Sequence, residues 1–372
     1  MTGIYIHIPF CLRKCPYCDF YSVRIDNGLL ESYIDALCRN FRAEKYRGVK
    51  ADTIYFGGGT PSVLTGGQVK RITQGLYESF DIADDAEITI EANPCTVDRD
   101  KLLQYRQAGI NRISFGVQSA DDSELKALGR LHDYEGARRA VTLAQDVGFD
   151  NISCDIMLGT PEQNMVSLLY SAGKICELPI KHISAYMLKI EKGTAFDCEE
   201  VRKNTADDEL VSDMYLSLTE HLNGRGFEQY EISNYARAGY ESRHNLKYWL
   251  GQEYIGFGAA AHSLFDKKRY YVERDVQKYI SAPLQEEIPE EEAYDERQEY
   301  VMLRVRLKSG LEKQRLKELY GDLAAEEMVR FCKTLERGGL CRVDEKRISL
   351  TSKGFLVSNS IIARLCNIAG LS

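Results

Sequence analysis

The sequence predicts an α/β protein: a parallel (β/α) barrel, complete or open on one side, followed by a small helical, winged-helix-like domain. Three observations carry this. Short β-rich runs alternate with amphipathic helical periods over the first 235 residues. That rhythm stops abruptly afterwards. At about 100–200 residues per domain, a chain of 372 residues has room for one large barrel and an appendage.

The β-rich runs fall at residues 4–8, 53–56, 87–91, 112–117, 151–157, 182–188 and 227–232. Between them Leu30, Ile34, Leu37, Cys38 and Phe41 recur at helical spacing, as do Val69, Ile72, Leu76 and Phe80. A third helix opens at an Asp133 cap and closes before Gly148. Strands joined by crossover helices form a parallel sheet with helices outside it. In such barrels the chemistry collects at the C-terminal ends of the strands. Residues 235–265 are rich in glycine, alanine and aromatics, and hold Trp249, the single tryptophan. Residues 286–296 are dense in acid, contain Pro289 and read as a solvated linker. The expected division is therefore 1–285 for the barrel with its closing segment and 286–372 for the appendage. In the latter, Met328, Phe331, Cys332 and Leu335 share a helix face stopped by Gly338-Gly339. A short strand pair over residues 340–350 and a last helix through Ile361, Ile362 and Leu365 follow.

Composition removes several classes of function. Lys+Arg 48 against Asp+Glu 56 gives a net charge of −8, which argues against nucleic acid as a partner. Arg337, Arg342, Lys346 and Arg347 then read as ordinary surface charge rather than a basic wing. Eleven cysteines are an odd number and too sparse for a disulfide scaffold. The first residues lack a basic region ahead of an apolar stretch, so they do not resemble a signal peptide. The longest charge-free apolar region, residues 254–265, is too short to cross a bilayer. The expectation is a soluble, cytoplasmic protein with reduced thiols.

The strongest local signal is Cys11-Leu-Arg-Lys-Cys15-Pro-Tyr-Cys18, directly after the first strand. Three thiols within eight residues, on a loop leaving a strand's C-terminal end, can converge on a soft metal centre. One reading is a structural zinc site with His7 as fourth ligand. Another is a [4Fe–4S] cluster held by three local thiolates, which leaves one iron open to a small ligand. A second feature, Gly57-Gly58-Gly59-Thr60-Pro61, ends the second strand, where glycines let backbone approach a ligand closely. A closed zinc module has no use for that loop.

C-x3-C-x2-C followed by GGGTP resembles the radical S-adenosylmethionine (SAM) superfamily. Further motifs occur in order: Tyr5-Ile-His-Ile-Pro-Phe-Cys11, Glu91-Ala-Asn-Pro94, Ser114-Phe-Gly-Val-Gln-Ser119, Leu128-Gly-Arg-Leu-His132 and Asp155-Ile-Met-Leu-Gly-Thr-Pro161. Together they resemble the oxygen-independent coproporphyrinogen III dehydrogenase family over nearly the whole chain, including its C-terminal domain. The resemblance implies a partial barrel of the TIM type, a [4Fe–4S] cluster on Cys11, Cys15 and Cys18, and SAM on the open iron. It implies a SAM site around Tyr5, Tyr17, Gly58, Gly59, Thr60, Glu91, Gln118, Arg130 and Asp155, with His262 near the adenine or lining the cavity. Glu91, Gln118 and Asp155 end three successive strands, which suits a ligand with an ammonium, ribose hydroxyls and an adenine edge. Arg130 is suited to the methionine carboxylate.

Two departures point to the family's heme-chaperone branch rather than its decarboxylases. The decarboxylase motif continues to a fourth cysteine, where this chain reads Cys18-Asp19-Phe20, and its long segment before the first strand is not matched here. His244-Asn-Leu-Lys-Tyr-Trp249 matches an HNxxYW motif that is associated with heme in that branch. His244, Trp249 and His7 are therefore the heme candidates, although His244 and Trp249 would equally serve to pack the barrel's open side. His132, His182 and His221 read as caps or surface residues, and Cys38, Cys176, Cys332 and Cys341 as core. Met157-Leu-Gly-Thr-Pro161 departs from the Tyr-Gly-Leu-Pro-like stretch usual in the family. The expected activity is heme binding and transfer to an acceptor protein, with heme or porphyrin as cargo and any peripheral membrane contact made through that acceptor. The alternative is oxidative decarboxylation of porphyrinogen propionates through a 5′-deoxyadenosyl radical.

Overall fold

The computed structural model describes residues 1–291 and 294–371. Six parallel strands follow one another along the chain: β1 (Thr2–Ile8), β2 (Lys50–Gly58), β3 (Asp81–Ala92), β4 (Arg112–Gln118), β5 (Asn151–Leu158) and β6 (His182–Met187). Two short antiparallel strands, β7 (Glu228–Gln229) and β8 (Asn234–Ala236), extend the sheet beyond β6. The chain then crosses to the opposite side. There β9 (Tyr254–Phe257) pairs parallel with β1, and β10 (His262–Phe265), β11 (Lys268–Tyr271) and β12 (Ile288–Pro289) add antiparallel ribbons. The order β12-β11-β10-β9-β1-β2-β3-β4-β5-β6-β8-β7 never closes on itself, so the barrel is partial.

Two expectations change here. The seventh parallel strand is β9, drawn from the glycine- and aromatic-rich segment, and residues 227–232 contribute only the two-residue β7. Within residues 286–296, Ile288–Pro289 pair with Tyr270 and Tyr271, so part of the expected linker is an edge strand. Proline is tolerated at an edge because no ladder donor is required of it there. Glu292 and Ala293 lie outside the described residues.

Alternation along each strand separates two environments. Outward residues such as Ile4, Ile6, Ile8, Ile54, Phe56, Ile88 and Ile90 are at most 2% exposed and pack beneath the helices. Each such side chain contributes about 1.5–3 kcal/mol. The helices are sharply started. Asp26, Asp98 and Asp133 accept backbone N–H groups, and Thr65 and Gln68 form a reciprocal capping box. The inward residues are polar instead: His7, Glu91, Ser114, Asp155, Ser153, His182 and Ser184. A barrel filled for stability alone carries branched apolar residues in its interior. This one has a lumen built for polar contents.

In the C-terminal part, helix Asp322–Arg337 ends at Gly338, and a three-stranded sheet joins Leu311–Glu312, Arg347–Leu350 and Cys341–Val343. Helix Ser358–Ile368 closes it. This part is anchored to β7 and its turn by Ser352 donating to Gln229 (2.8 Å) and by a Glu231–Leu307 bridge.

Candidate functional site

The chain leaves β1 through Phe10 and Cys11, and that exit is held against the end of β2. The Gly59 and Thr60 N–H groups donate to Ile8 and Phe10 carbonyls, both at 2.9 Å. The glycines are required by this closeness. A Cβ on Gly59 would lie 2.9 Å from the Phe10 carbonyl oxygen, and one on Gly58 (φ +111°) would lie 2.6 Å from the His7 ring. The triple glycine therefore seats the cysteine loop as well as leaving backbone open at the mouth.

Cys15 and Cys18 close a turn, with the Cys18 N–H donating to the Cys15 carbonyl at 3.1 Å. Tyr17 anchors the loop's far side in a small apolar cluster with Leu128, Met157 and Phe196. Two donors reach the sulfurs: Thr60 Oγ1 to Cys11 Sγ at 3.4 Å and Arg130 Nη1 to Cys15 Sγ at 3.5 Å. Such donors favour the thiolate form that an iron–sulfur cluster requires. Burial, then the neighbouring Cys15 and Cys11, push the Cys18 thiol up. The zinc alternative does not fit. His7 Nδ1 faces Tyr5 Oη (3.0 Å) and Nε2 faces the Tyr21 carbonyl (3.3 Å). Among the described residues no three His, Cys, Asp or Glu side chains converge on a single-ion geometry. Three thiols of a cubane bind three different irons and need no such convergence.

Glu91, Gln118 and Asp155 all stand at the mouth. Glu91 accepts from Tyr55 Oη (2.8 Å), and Asp155 from Ser114 Oγ (3.2 Å). Burial pushes Glu91 up to about 7 and Asp155 up to about 6. Neither carboxyl forms a direct ion pair, and the more distant charges of Arg112 and, for Asp155, Arg130 do not offset burial, so a cationic ligand would lower their ionisation cost. Gln118 adopts φ +74°, rare for a residue with a Cβ, and its amide crowds the same space as the Arg130 guanidinium beside Gly116. Arg130 donates to the Gly116 carbonyl (2.6 Å) and Tyr17 Oη (3.4 Å), while its Nε is buried without a partner. Tyr5 lies deeper, between His7 and a stacked Tyr55 (6.2 Å). His262 starts β10 half exposed, paired with Glu290 (3.1 Å) and stacked on Tyr271, and its charge bears on His7. In the strand-five loop, Gln163 ties Gly159 N–H and the Met157 carbonyl together.

His244 and Trp249 are elsewhere. Their helix, Arg243–Trp249, plugs the N-terminal end of the barrel, where Glu87 accepts the N–H groups of Arg243 (3.1 Å) and His244 (3.0 Å). His244 is fully buried and stacked on Tyr55, with Nδ1 on Thr53 Oγ1 and Nε2 on Tyr248 Oη, each at 2.8 Å. Both ring nitrogens are committed, and burial lowers its pKa to about 3. This geometry matches the packing role. Trp249 is half-buried with the Arg306 guanidinium over its ring at 6.0 Å. The expectation that His132 and His182 are caps or surface residues is corrected: both are buried. His182 faces the lumen and bonds Ser153 Oγ (2.7 Å) and Tyr230 Oη (2.8 Å). Cys332 and Cys341 are core, whereas Cys38 and Cys176 are half-buried. Sequence reasoning also missed Arg112, Tyr186, Tyr230 and Glu231. Counting back by twos along β4 from Gln118 would have turned Arg112 inward.

With the geometry in place, comparisons with known proteins become informative. The Radical SAM superfamily model matches residues 5–172, and the HemN C-terminal domain model matches residues 292–357. The chain is 33% identical over 371 residues to the heme chaperone HemW of Bacillus subtilis (strain 168), covering 97% of this chain and 98% of the relative. It is 40% identical over 263 residues to the heme chaperone HemW of Escherichia coli (strain K12), covering 70% of this chain and 69% of that one. The solved structure of coproporphyrinogen III oxidase (HemN) from Escherichia coli, a radical SAM enzyme, superposes with a TM-score of 0.81. That match covers 98% of this chain and 89% of the other at 22% identity, a likeness of fold. The chain belongs to the heme chaperone HemW family, within the radical SAM superfamily.

Proposed function

We propose that this chain binds heme and passes it to an acceptor protein. Its cofactors are a [4Fe–4S] cluster and SAM, with heme as cargo. The observation that carries the reading is the mouth of the barrel: three cysteines on one loop, with donors aimed at two of their sulfurs, beside two buried carboxyls without a direct ion-pair partner.

In this reading Cys11, Cys15 and Cys18 hold the cluster. Glu91, Gln118, Asp155, Arg130, Thr60 and the Gly58-Gly59 backbone hold SAM, with Tyr17 fixing the loop and Tyr5 supporting the mouth from below. When bound, the cluster and SAM supply one-electron chemistry. The chain's own contribution is positional. Thr60 and Arg130 donate to ligand sulfurs, and Glu91 and Asp155 offer negative charge to a cationic ligand once ionised. The apolar seal of Tyr17, Leu128, Met157 and Phe196 keeps water from one flank of the loop. Of the heme candidates His244, Trp249 and His7, His7 lies nearest this mouth, and its ring nitrogens, like those of His244, are bonded within the protein. The boundary between the two units, expected at 285/286, lies beyond β12, because Ile288–Pro289 belong to the barrel sheet. Delivery takes place in the cytoplasm, and any approach to a membrane is made through the acceptor. No described helix is long and apolar enough to cross one.

The test is an anaerobic heme titration of the cluster-reconstituted protein, followed by mixing with an apo-heme protein. Saturable heme absorbance that then transfers to the acceptor is expected. Absence of saturable binding would contradict the reading.

A further inference from the structure

We propose that Arg112 is the receptor for a carboxylate group in the barrel lumen, beneath the mouth. Arg112 opens β4 on its inner face and is 1% exposed. In the ladder it lies opposite Thr89, which lies opposite Tyr55, itself opposite Tyr5. Among the described residues its guanidinium makes no hydrogen bond and no ion pair, and its Nε is buried without a partner. The contrast within the same protein is sharp. Buried Lys247 is paired with Asp52 at 2.7 Å, and enclosed Arg269 with Glu299 at 2.6 Å. An unpaired buried cation is costly, whereas Arg on a carboxylate is a strong, two-pronged contact.

The surrounding groups are already committed. Glu91 accepts from Tyr55, Asp155 from Ser114, and His182 is bonded to Ser153 and Tyr230. These neighbours supply the field of Arg112 with distant opposite charge but no direct partner. They also select the ligand. Two carboxyls near the guanidinium disfavour a doubly charged phosphate and leave room for a planar single anion. Access exists from the mouth: Tyr186 is 43% exposed, and the inward-facing Tyr5, Tyr55, Glu91 and Asp155 each retain contact with solvent. The carboxylate has two sources, a propionate arm of the heme cargo or a free small organic acid. The first rests on the heme reading above; the second does not.

Two measurements on the full chain separate them. In the first, the melting midpoint is followed as sodium propionate replaces sodium chloride at constant ionic strength, for the wild type, Arg112→Gln and Arg112→Lys. Propionate should raise the wild-type midpoint and leave Arg112→Gln unmoved, with Arg112→Lys responding weakly because it keeps the charge without the fork. In the second, heme is compared with heme whose propionates are methyl esters. A propionate-bearing cargo predicts that the wild type prefers the free acid by about tenfold or more. In Arg112→Gln that preference falls to about twofold or less. A propionate response without ester discrimination assigns the subsite to a free acid. Neither response in the wild type, or both persisting in Arg112→Gln, would overturn the proposal. A wild type that binds heme in neither form contradicts the chaperone reading, and the propionate arm alone then decides this one. If Arg112→Gln fails to fold, Arg112→Lys carries both comparisons.

Discussion

The two ends of the barrel are built on opposite principles. At the N-terminal end His244, Thr53, Tyr248, Glu87, Lys247 and Asp52 spend their polar groups on one another, and His244 has no exposed surface. Toward the C-terminal end and the lumen below it, polar groups are buried yet left open. Arg112 and Arg130 carry unpartnered Nε atoms, and burial pushes the Glu91 and Asp155 carboxyls up to about 7 and about 6. A satisfied buried network stabilises, while an unsatisfied one costs free energy unless something else completes it. The difference separates the end that holds the fold from the end we propose for ligands.

The largest expected effect attacks the open end. Cys15→Ala removes a sulfur that Arg130 addresses without touching the apolar core. Iron and sulfide content and the broad cluster absorbance should be lost almost entirely, with circular dichroism unchanged. Retention of full iron and sulfide would break the ligand assignment. The next attacks the closed end. His244→Ala deletes two buried hydrogen bonds and a stacked ring, and should cost about 2–4 kcal/mol of stability in urea denaturation while leaving cluster loading intact. Wild-type stability combined with lost heme binding would instead make the motif a ligand site.

The smallest effect is a pH signature of the open end. Glu91 and Asp155 have folded pKa values raised by burial, so the folded protein holds protons that the unfolded chain has released. Their stabilising contribution is complete below about pH 4 and is lost as pH rises through about 6 to 7. In the SAM-free protein, Glu91→Gln should flatten the fall in melting temperature between pH 5 and 8 by a few degrees. An unchanged pH profile in that variant would show that Glu91 is ionised at little cost.

Six parallel strands were legible because their apolar faces recur with period two between clear helical segments, and the cap at Asp133 is a local signal. β9 was not, because Gly256 and the aromatics around it carry no alternating pattern, and its pairing with β1 spans the chain. The cysteine loop and the glycines were legible from spacing; Glu91, Gln118 and Asp155 came from the family resemblance, and Asp155 lies within β5 rather than at its end. The surroundings of His244 were not legible, since a motif reveals residue types but not whether both imidazole nitrogens are already bonded. Arg112 and His182 were missed because a buried charge or imidazole declares itself only through the partners around it.

The central claim is that this chain carries heme rather than decarboxylating porphyrinogens. The most direct test supplies the reconstituted protein anaerobically with SAM, a reductant and coproporphyrinogen III, and follows porphyrin products and 5′-deoxyadenosine by chromatography. The account predicts that coproporphyrinogen is recovered with its propionates intact while the same preparation binds heme. Formation of protoporphyrinogen would contradict it.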